Sequence, residues 1–192
     1  MHKGSKRPEI TVFAGPNGSG KSTLTLASPH VVQPYINADE IKHARGCSVL
    51  EAAQTATDWR LQCIDSGQSF SFETVLSTVR NIDLLREAKR REYFIRGFFV
   101  LTIDVQLNIL RVNSRVDSGG HDVPSDKIRS RFIKSVANVP EFIDICDVCH
   151  IYDNSGYEPN RIFKKKNNEI TYWARQYWPR TKIEKLVGFK LI

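Results

Sequence analysis

Gly15-Pro16-Asn17-Gly18-Ser19-Gly20-Lys21-Ser22-Thr23 follows directly on the apolar run Ile10-Thr11-Val12-Phe13-Ala14, and the rest of the chain can be read outward from it. The stretch fits the phosphate-binding pattern G-x-x-x-x-G-K-[ST], in which a buried strand runs into a glycine-rich turn that opens a helix, here at about Lys21. Glycines at 15, 18 and 20 let the backbone curl so that successive N–H groups point at one anion, and they keep Cβ atoms out of the way. The helix N-terminus adds unpaired N–H groups and the positive end of its dipole. Lys21 has the length to reach β- and γ-phosphates, and the Ser22 hydroxyl suits Mg²⁺. The expected ligands are therefore a nucleoside triphosphate and Mg²⁺, with residues 15–23 as the nucleotide cradle and Ser22 as the metal ligand. A glycine turn with a chance lysine is the plain alternative, and the strand before the turn argues against it.

Outward from the cradle, apolar runs alternate with helical patterns. Residues 31–36 read as a second strand ending in Asn37-Ala38-Asp39-Glu40-Ile41, with Asp39 suited to cap the helix that follows. Residues 48–67 read as a helix, with Ser48 and Glu51 as a capping box and Gly67 as its C-cap. Phe70-Ser71-Phe72-Glu73-Thr74 is a short strand ending in a carboxylate and a hydroxyl. Residues 78–91 form an amphipathic helix, residues 98–103 a fully buried strand, and residues 105–116 another helix. Residues 117–124 are a loop, and Ser125 is expected to cap the helix beyond it. Residues 148–153 make a last strand. The aromatic segment 172–178 reads equally well as helix or strand. This alternation predicts an α/β fold, a mostly parallel sheet with helices on both faces, as in P-loop NTPases. No linker or repeat interrupts it, so residues 1–192 are expected to form one kinase-sized domain. Its core spans about 9–155, a small helical lid about 111–135, and a basic, aromatic extension 160–192.

Composition narrows the class. Of 192 residues, 41% are hydrophobic and 26% charged, ordinary for a soluble globular chain, and no run approaches the roughly 18 apolar residues of a membrane span. The basic N-terminus leads into a strand rather than the apolar core of a signal peptide, so a cytoplasmic enzyme without membrane contact is expected. The net charge of +7 reads either as a surface for phosphorylated substrates or as nucleic-acid binding. The first is preferred because no nucleic-acid module is recognisable. Cys146 and Cys149 form one C-x-x-C, but no second ligand pair stands at zinc spacing and no helix N-terminus receives it, so buried reduced thiols are expected.

In a parallel sheet, ligands bind beyond the carboxyl ends of the strands. That singles out Asp39 and Glu73-Thr74. Asp39 is placed to accept a proton from an acceptor hydroxyl, and helix capping is its plainer alternative. Glu73 is suited to acceptor hydroxyls or a magnesium-bound water, or is simply a solvated strand end. Arg111, Arg115, Arg129 and Arg131 flank the glycine hinge Gly119-Gly120-His121. A helix pair joined by such a hinge supplies cations to a phosphoryl group only on closing, as a lid requires, and it also reads as a solvated basic hairpin. Asp104 follows an apolar strand as a Walker B acid would, but it stands where the next helix needs a cap.

Taken with the cradle, the segments Asn37-Ala38-Asp39-Glu40-Ile41, Phe72-Glu73-Thr74, Gly119-Gly120-His121-Asp122-Val123-Pro124, Ile128-Arg129-Ser130-Arg131-Phe132 and Ile151-Tyr152-Asp153-Asn154-Ser155 resemble the zeta-toxin family of P-loop kinases. The resemblance covers residues 9–155. It implies an adenylate-kinase-like fold and ATP/Mg²⁺-dependent phosphorylation of a hydroxyl, in the characterised toxins the 3′-hydroxyl of the sugar in UDP-N-acetylglucosamine, with an antitoxin protein as a partner. By position it implies Lys21 as the phosphate-binding lysine, Asp39 as catalytic base, Glu73 with Thr74 as substrate contacts, and Arg115, or else Arg111, as the first phosphate clamp. Where the toxins carry an arginine before the Pro, this chain has His121, so Arg131 or Arg129 would supply the second clamp. A polynucleotide or nucleoside kinase, or a regulatory P-loop ATPase, is the alternative.

Overall fold

The computed structural model describes residues 7–117 and 122–191. Its centre is β1 (Glu9–Ala14), in which every residue from Ile10 to Ala14 is buried. A strand buried on both faces needs neighbours on both edges. These are β3 (Phe70–Thr74) and β4 (Phe94–Leu101), both parallel to it. β2 (Tyr35–Ile36) adds to β3 and β5 (Val148–Asp153) to β4, again in parallel. β6 (Asn160–Lys166) and β7 (Glu169–Tyr172) then join as an antiparallel hairpin, giving the order β2-β3-β1-β4-β5-β6-β7. The fold is α/β with a seven-stranded, mostly parallel sheet.

The helices are α1 (Lys21–Ala27), α2 (Ala38–Arg45), α3 (Val49–Ser66), α4 (Val79–Arg90), α5 (Val105–Asp117), α6 (Ser125–Ala137), α7 (Val139–Ile145) and α8 (Arg180–Val187). Alternate strand residues Ile10, Val12, Phe72, Phe99 and Ile151 share one core with Ala56 of α3, Leu85 of α4, Phe142 of α7 and Ile183 of α8. Burying a side chain such as Phe72 or Ile10 is worth about 2 kcal/mol, so this layer holds the sheet flat against its helices. On the opposite face Phe13 stacks on Phe98 at 5.0 Å, and Phe98 meets His150 at 5.2 Å and His30 at 5.7 Å. A separate small cluster of Ile109, Val112, Val123 and Ile128 ties α5 to α6 outside the main core. The expected lid thus has an apolar seam of its own.

Local signals were read correctly where a side chain answers a backbone group nearby. Ser48 and Glu51 form the capping box of α3, and Gly67 ends that helix with φ 69°. Other details differ. The second strand is only Tyr35–Ile36, because the 31–34 segment is tied to β3 by isolated bonds, Val32 N–H to Ser71 Oγ and Ser71 N–H to Pro34 O. The cap of α2 is Asn37, whose side chain accepts from the Asp39 N–H at 2.9 Å, so Asp39 stands in the first turn. α6 is preceded by Pro124 and has no side-chain cap, with Ser125 already helical. The fourth strand starts at Phe94 and runs through Arg96 and Gly97. The segment 173–178 is neither helix nor strand but a turn closed by an Arg175–Trp178 bridge. Asp104 does cap α5, accepting from Gln106 N–H at 2.8 Å. Cys47, Cys63, Cys146 and Cys149 are unbridged, the last three buried. No helix among the described residues is long and apolar enough to cross a membrane.

Candidate active site

The end of β1 delivers Gly15 beside β3, its N–H bonded to Thr74 O at 3.1 Å, and the loop that follows curls into the N-terminus of α1. Gly18 (φ 74°) and Gly20 (φ 91°) are required twice over. Their conformation is one that side chains rarely adopt, and a Cβ would stand 2.4 Å from Asn108 O at Gly18 and 2.1 Å from Asn154 Nδ2 at Gly20. Those two asparagines hold the loop from behind: Asn108 Nδ2 donates to Asn17 O at 2.6 Å, and Asn154 Nδ2 to Ser19 O at 2.8 Å. Asn108 is fixed in turn by the Thr102 hydroxyl, and the Asn154 carbonyl by Arg111 Nη1 at 2.7 Å. Sequence reading missed Asn108 altogether, since a mid-helix asparagine matches no motif.

Lys21 keeps part of its surface open, yet its ammonium lies deep enough in the loop that desolvation lowers it to about 8, against the opposing pull of Glu73 and Asp39 and with Arg115 adding to the fall. It donates to Pro16 O at 2.9 Å. The charges of Glu73, Asp39 and Arg115 thus all bear on this one lysine. Glu73 is held at both oxygens: Ser22 Oγ donates to Oε2 at 3.0 Å and Tyr35 OH to Oε1 at 2.8 Å. Asn37 Nδ2 steadies the phenol oxygen at 2.9 Å. Burial and then the Glu73 carboxylate push the Tyr35 hydroxyl well above its ordinary range, so it stays a donor. Tyr35 lies in the expected second strand and Asn37 in the polar cluster that ends it; no motif assigns either a part in holding Glu73, although both are close to Asp39 in sequence.

Beside Glu73 opens a cleft of about 680 Å³, lined by α2, α3, the start of α4 and Arg131 of α6. Arg131 also reaches the loop, its Nη1 3.5 Å from Asn17 Oδ1. The other expected residues are placed differently. The Thr74 hydroxyl accepts from Leu76 N–H at 2.9 Å and Asn81 Nδ2 at 2.7 Å and is 8% exposed, so it shapes the turn after β3. Arg129 is exposed on α6. His121, with Gly119 and Gly120, lies outside the described residues. The donors present fit a magnesium–nucleotide complex: Ser22 and Glu73 supply hard oxygens 3.0 Å apart, and the buried Ser19 Oγ inside the loop has no partner among the described residues.

No protein-family model matches the chain. A protein of Haemophilus influenzae (strain KW20/Rd), described as uncharacterized, is 29% identical over 126 residues, 62% of this chain and 89% of that protein. By structure the chain is similar to a chain of the AvrRxo1-ORF1:AvrRxo1-ORF2 complex with ATP, at TM-score 0.68 and 16% identity over 94% of its length, and it spans 64% of that chain. It is also similar to a chain of the PezAT chromosomal toxin–antitoxin system of Streptococcus pneumoniae, at TM-score 0.61 and 18% identity, covering 100% of this chain and 84% of that one. A chain of the Pnkp1/Rnl/Hen1 RNA repair complex aligns at TM-score 0.55 and 15% identity, over 69% of this chain and 45% of that one. At these identities the likeness is one of fold.

Proposed function

We propose that this protein is an ATP- and Mg²⁺-dependent kinase that moves the γ-phosphoryl group of ATP to a hydroxyl of a small-molecule acceptor, with a nucleotide sugar such as UDP-N-acetylglucosamine as the first class to test. The observation that carries this reading is that the charges of Glu73 and Asp39 both bear on Lys21, while Glu73 also lines a cleft large enough for a second substrate. A P-loop switch protein needs no such cleft.

In this reading residues 15–23 hold the triphosphate and Lys21 contacts the β- and γ-phosphates. Ser22 would hold Mg²⁺, which would supply positive charge to offset that of the phosphates. Asp39 takes the proton of the acceptor hydroxyl as its oxygen bonds to the γ-phosphorus, while the bond to the β-bridging oxygen breaks and ADP leaves. Glu73 orients the acceptor or a metal-bound water. Arg115 and Arg131, carried by the α5–α6 lid with its own apolar seam, place positive charge on the transferring group when the lid closes. Arg111, through Asn154, positions the loop rather than the substrate.

One observation favours a second reading. Residues 160–192 hold nine Lys and Arg against two Glu, whereas residues 1–159 hold 19 of each sign, so the net +7 resides in the C-terminal extension. Such a surface suits a polyanionic acceptor, as in a polynucleotide kinase, or an acidic partner protein. The likeness to a chain of the PezAT toxin–antitoxin system supports the partner protein, and the proposed place of action is the cytoplasm, where ATP is abundant. A ³¹P NMR time course with ATP, Mg²⁺ and separate pools of nucleotide sugars and 5′-hydroxyl oligonucleotides tests the assignment. A new phosphomonoester resonance in the nucleotide-sugar pool is expected. Its appearance in the oligonucleotide pool alone would favour the second reading, and inorganic phosphate alone in every pool would defeat both.

A further inference from the structure

We infer that the cleft beside Glu73 contains an anion subsite, built from Arg60 and the N-terminus of α4, that takes a phosphate group of the acceptor. The identity of its ligand as an acceptor rests on the kinase reading; its capacity to bind phosphate does not.

The argument starts from Arg60. It stands in the middle of α3, is 6% exposed, and lines the cleft. Its guanidinium lies 4.4 Å over the Phe72 ring. Among the described residues its hydrogen bonds are long ones to neutral oxygens, Nη1 to Asn81 Oδ1 at 3.3 Å and Nη2 to Ile36 O at 3.4 Å, and its buried Nε finds no partner there. No carboxylate among the described residues pairs with it. A buried cation without a counter-ion is costly, and a ligand anion removes that cost.

The second observation is independent. α4 is twelve residues long, its N-cap Thr78 makes no side-chain cap bond, and its first turn holds no acid. Its free N–H groups and dipole therefore favour an anion. Thr78, Arg80 and Asn81 of that turn line the same cleft as Arg60 and Arg131. Glu73 is the one carboxylate lining it. Within this cleft an anion is drawn to Arg60 and the first turn of α4 and repelled by Glu73, which favours an acceptor that presents a neutral hydroxyl to Glu73. The subsite thus selects hydroxyl compounds that carry a phosphate at some distance from the reacting hydroxyl, and it aligns them.

The test uses the whole chain saturated with a non-hydrolysable ATP analogue and Mg²⁺, so that the P-loop is filled. Inorganic phosphate is titrated in while ¹H–¹⁵N spectra follow the amides of Val79, Arg80 and Asn81 and the Nε–H of Arg60. Saturable shifts of these signals are expected. Phosphate affinity falls at least about tenfold in Arg60→Met, the scale of losing a charge-assisted hydrogen bond, and less in Arg60→Lys. Should Arg60→Met not fold, Val79→Pro decides: it deletes one N–H in a first helical turn that accepts proline, after a Thr78 already extended at φ −136°, ψ 156°. Affinity falls in that variant too. Signals that do not move, or that move identically in Val79→Pro and the wild type, overturn the subsite. In a second arm, the wild type phosphorylates a sugar phosphate in preference to the free sugar, and Arg60→Lys lowers that preference. Phosphate binding without any phosphorylated acceptor would sink the kinase reading and leave the subsite standing.

Discussion

Glu73 accepts hydrogen bonds from Ser22 on one oxygen and Tyr35 on the other, and its charge, with that of Asp39, bears on Lys21. Lys21 and Ser22 belong to the phosphate-binding motif and Asp39 and Glu73 follow strands, but Tyr35 matches no motif. Motif residues are legible because phosphate binding dictates their spacing. Tyr35 is legible only through the pairing of β2 with β3, which sets Tyr35 beside Ser71 and lets its hydroxyl reach Glu73 Oε1 at 2.8 Å. Two predictions belong at this scale. Asp39→Asn leaves ATP affinity nearly unchanged in calorimetry and lowers phosphoryl transfer about 10²-fold, the usual contribution of a general base. Because burial holds the Lys21 ammonium at about 8 rather than its ordinary 10.5, the nucleotide-free protein loses this charge as pH rises through 8. ATP affinity is expected to weaken from pH 7.5 to about 9.5, and the slope to vanish in Lys21→Met. A slope that persists in Lys21→Met would assign the titration to another group.

At the scale of elements, the glycine-rich loop is not a free-standing cradle. Asn108 on α5 and Asn154 after β5 grip its backbone, and the glycines leave room for that grip as much as for phosphate. Asn108→Ala and Asn154→Ala are therefore expected to weaken ATP binding about tenfold by loosening the loop, the loss of one buried hydrogen bond each. Equilibrium binding of a fluorescent ATP analogue would show it, and wild-type affinity in both would refute the role. The P-loop, the capping box of α3 and the strand after it could be read from local chemistry, since each is decided within a few residues. The hairpin β6–β7 and α8 could not. Their apolar residues Ile162, Phe163 and Ile183 are spaced among lysines, and only pairing to β5 and packing on α7 reveal which face is inward. The Asn167-Asn168 turn, with Asn167 at φ 54°, was the one local signal for that hairpin.

Over the whole molecule, charge and burial are divided between the two faces of the sheet. One face is covered by α3, α4, α7 and α8, while the other carries the ring stack through Phe98 to His150, near Arg161, Lys164 and Arg96. Burial first, and then these cations, lower His150 to about 4 from 6.5. The native state thus keeps His150 neutral while the unfolded chain takes up its proton below pH 6.5. Its contribution is fully present above pH 6.5 and is lost as pH falls toward 4. Urea midpoints should drop between pH 7 and pH 5, and His150→Phe, which preserves the stack, should drop less. Parallel declines would place the acid sensitivity elsewhere.

The fold, the P-loop and the cleft beside Glu73 meet in one claim, that the γ-phosphoryl group of ATP leaves for an organic hydroxyl under the control of Asp39. The direct measurement is chromatography of products from [γ-³²P]ATP and Mg²⁺ incubated with UDP-N-acetylglucosamine and other nucleotide sugars. The account predicts label in an acceptor with wild-type protein, about 10²-fold less with Asp39→Asn, and none with Lys21→Ala. Label confined to inorganic phosphate with every acceptor, or equal transfer by Asp39→Asn and the wild type, would contradict it.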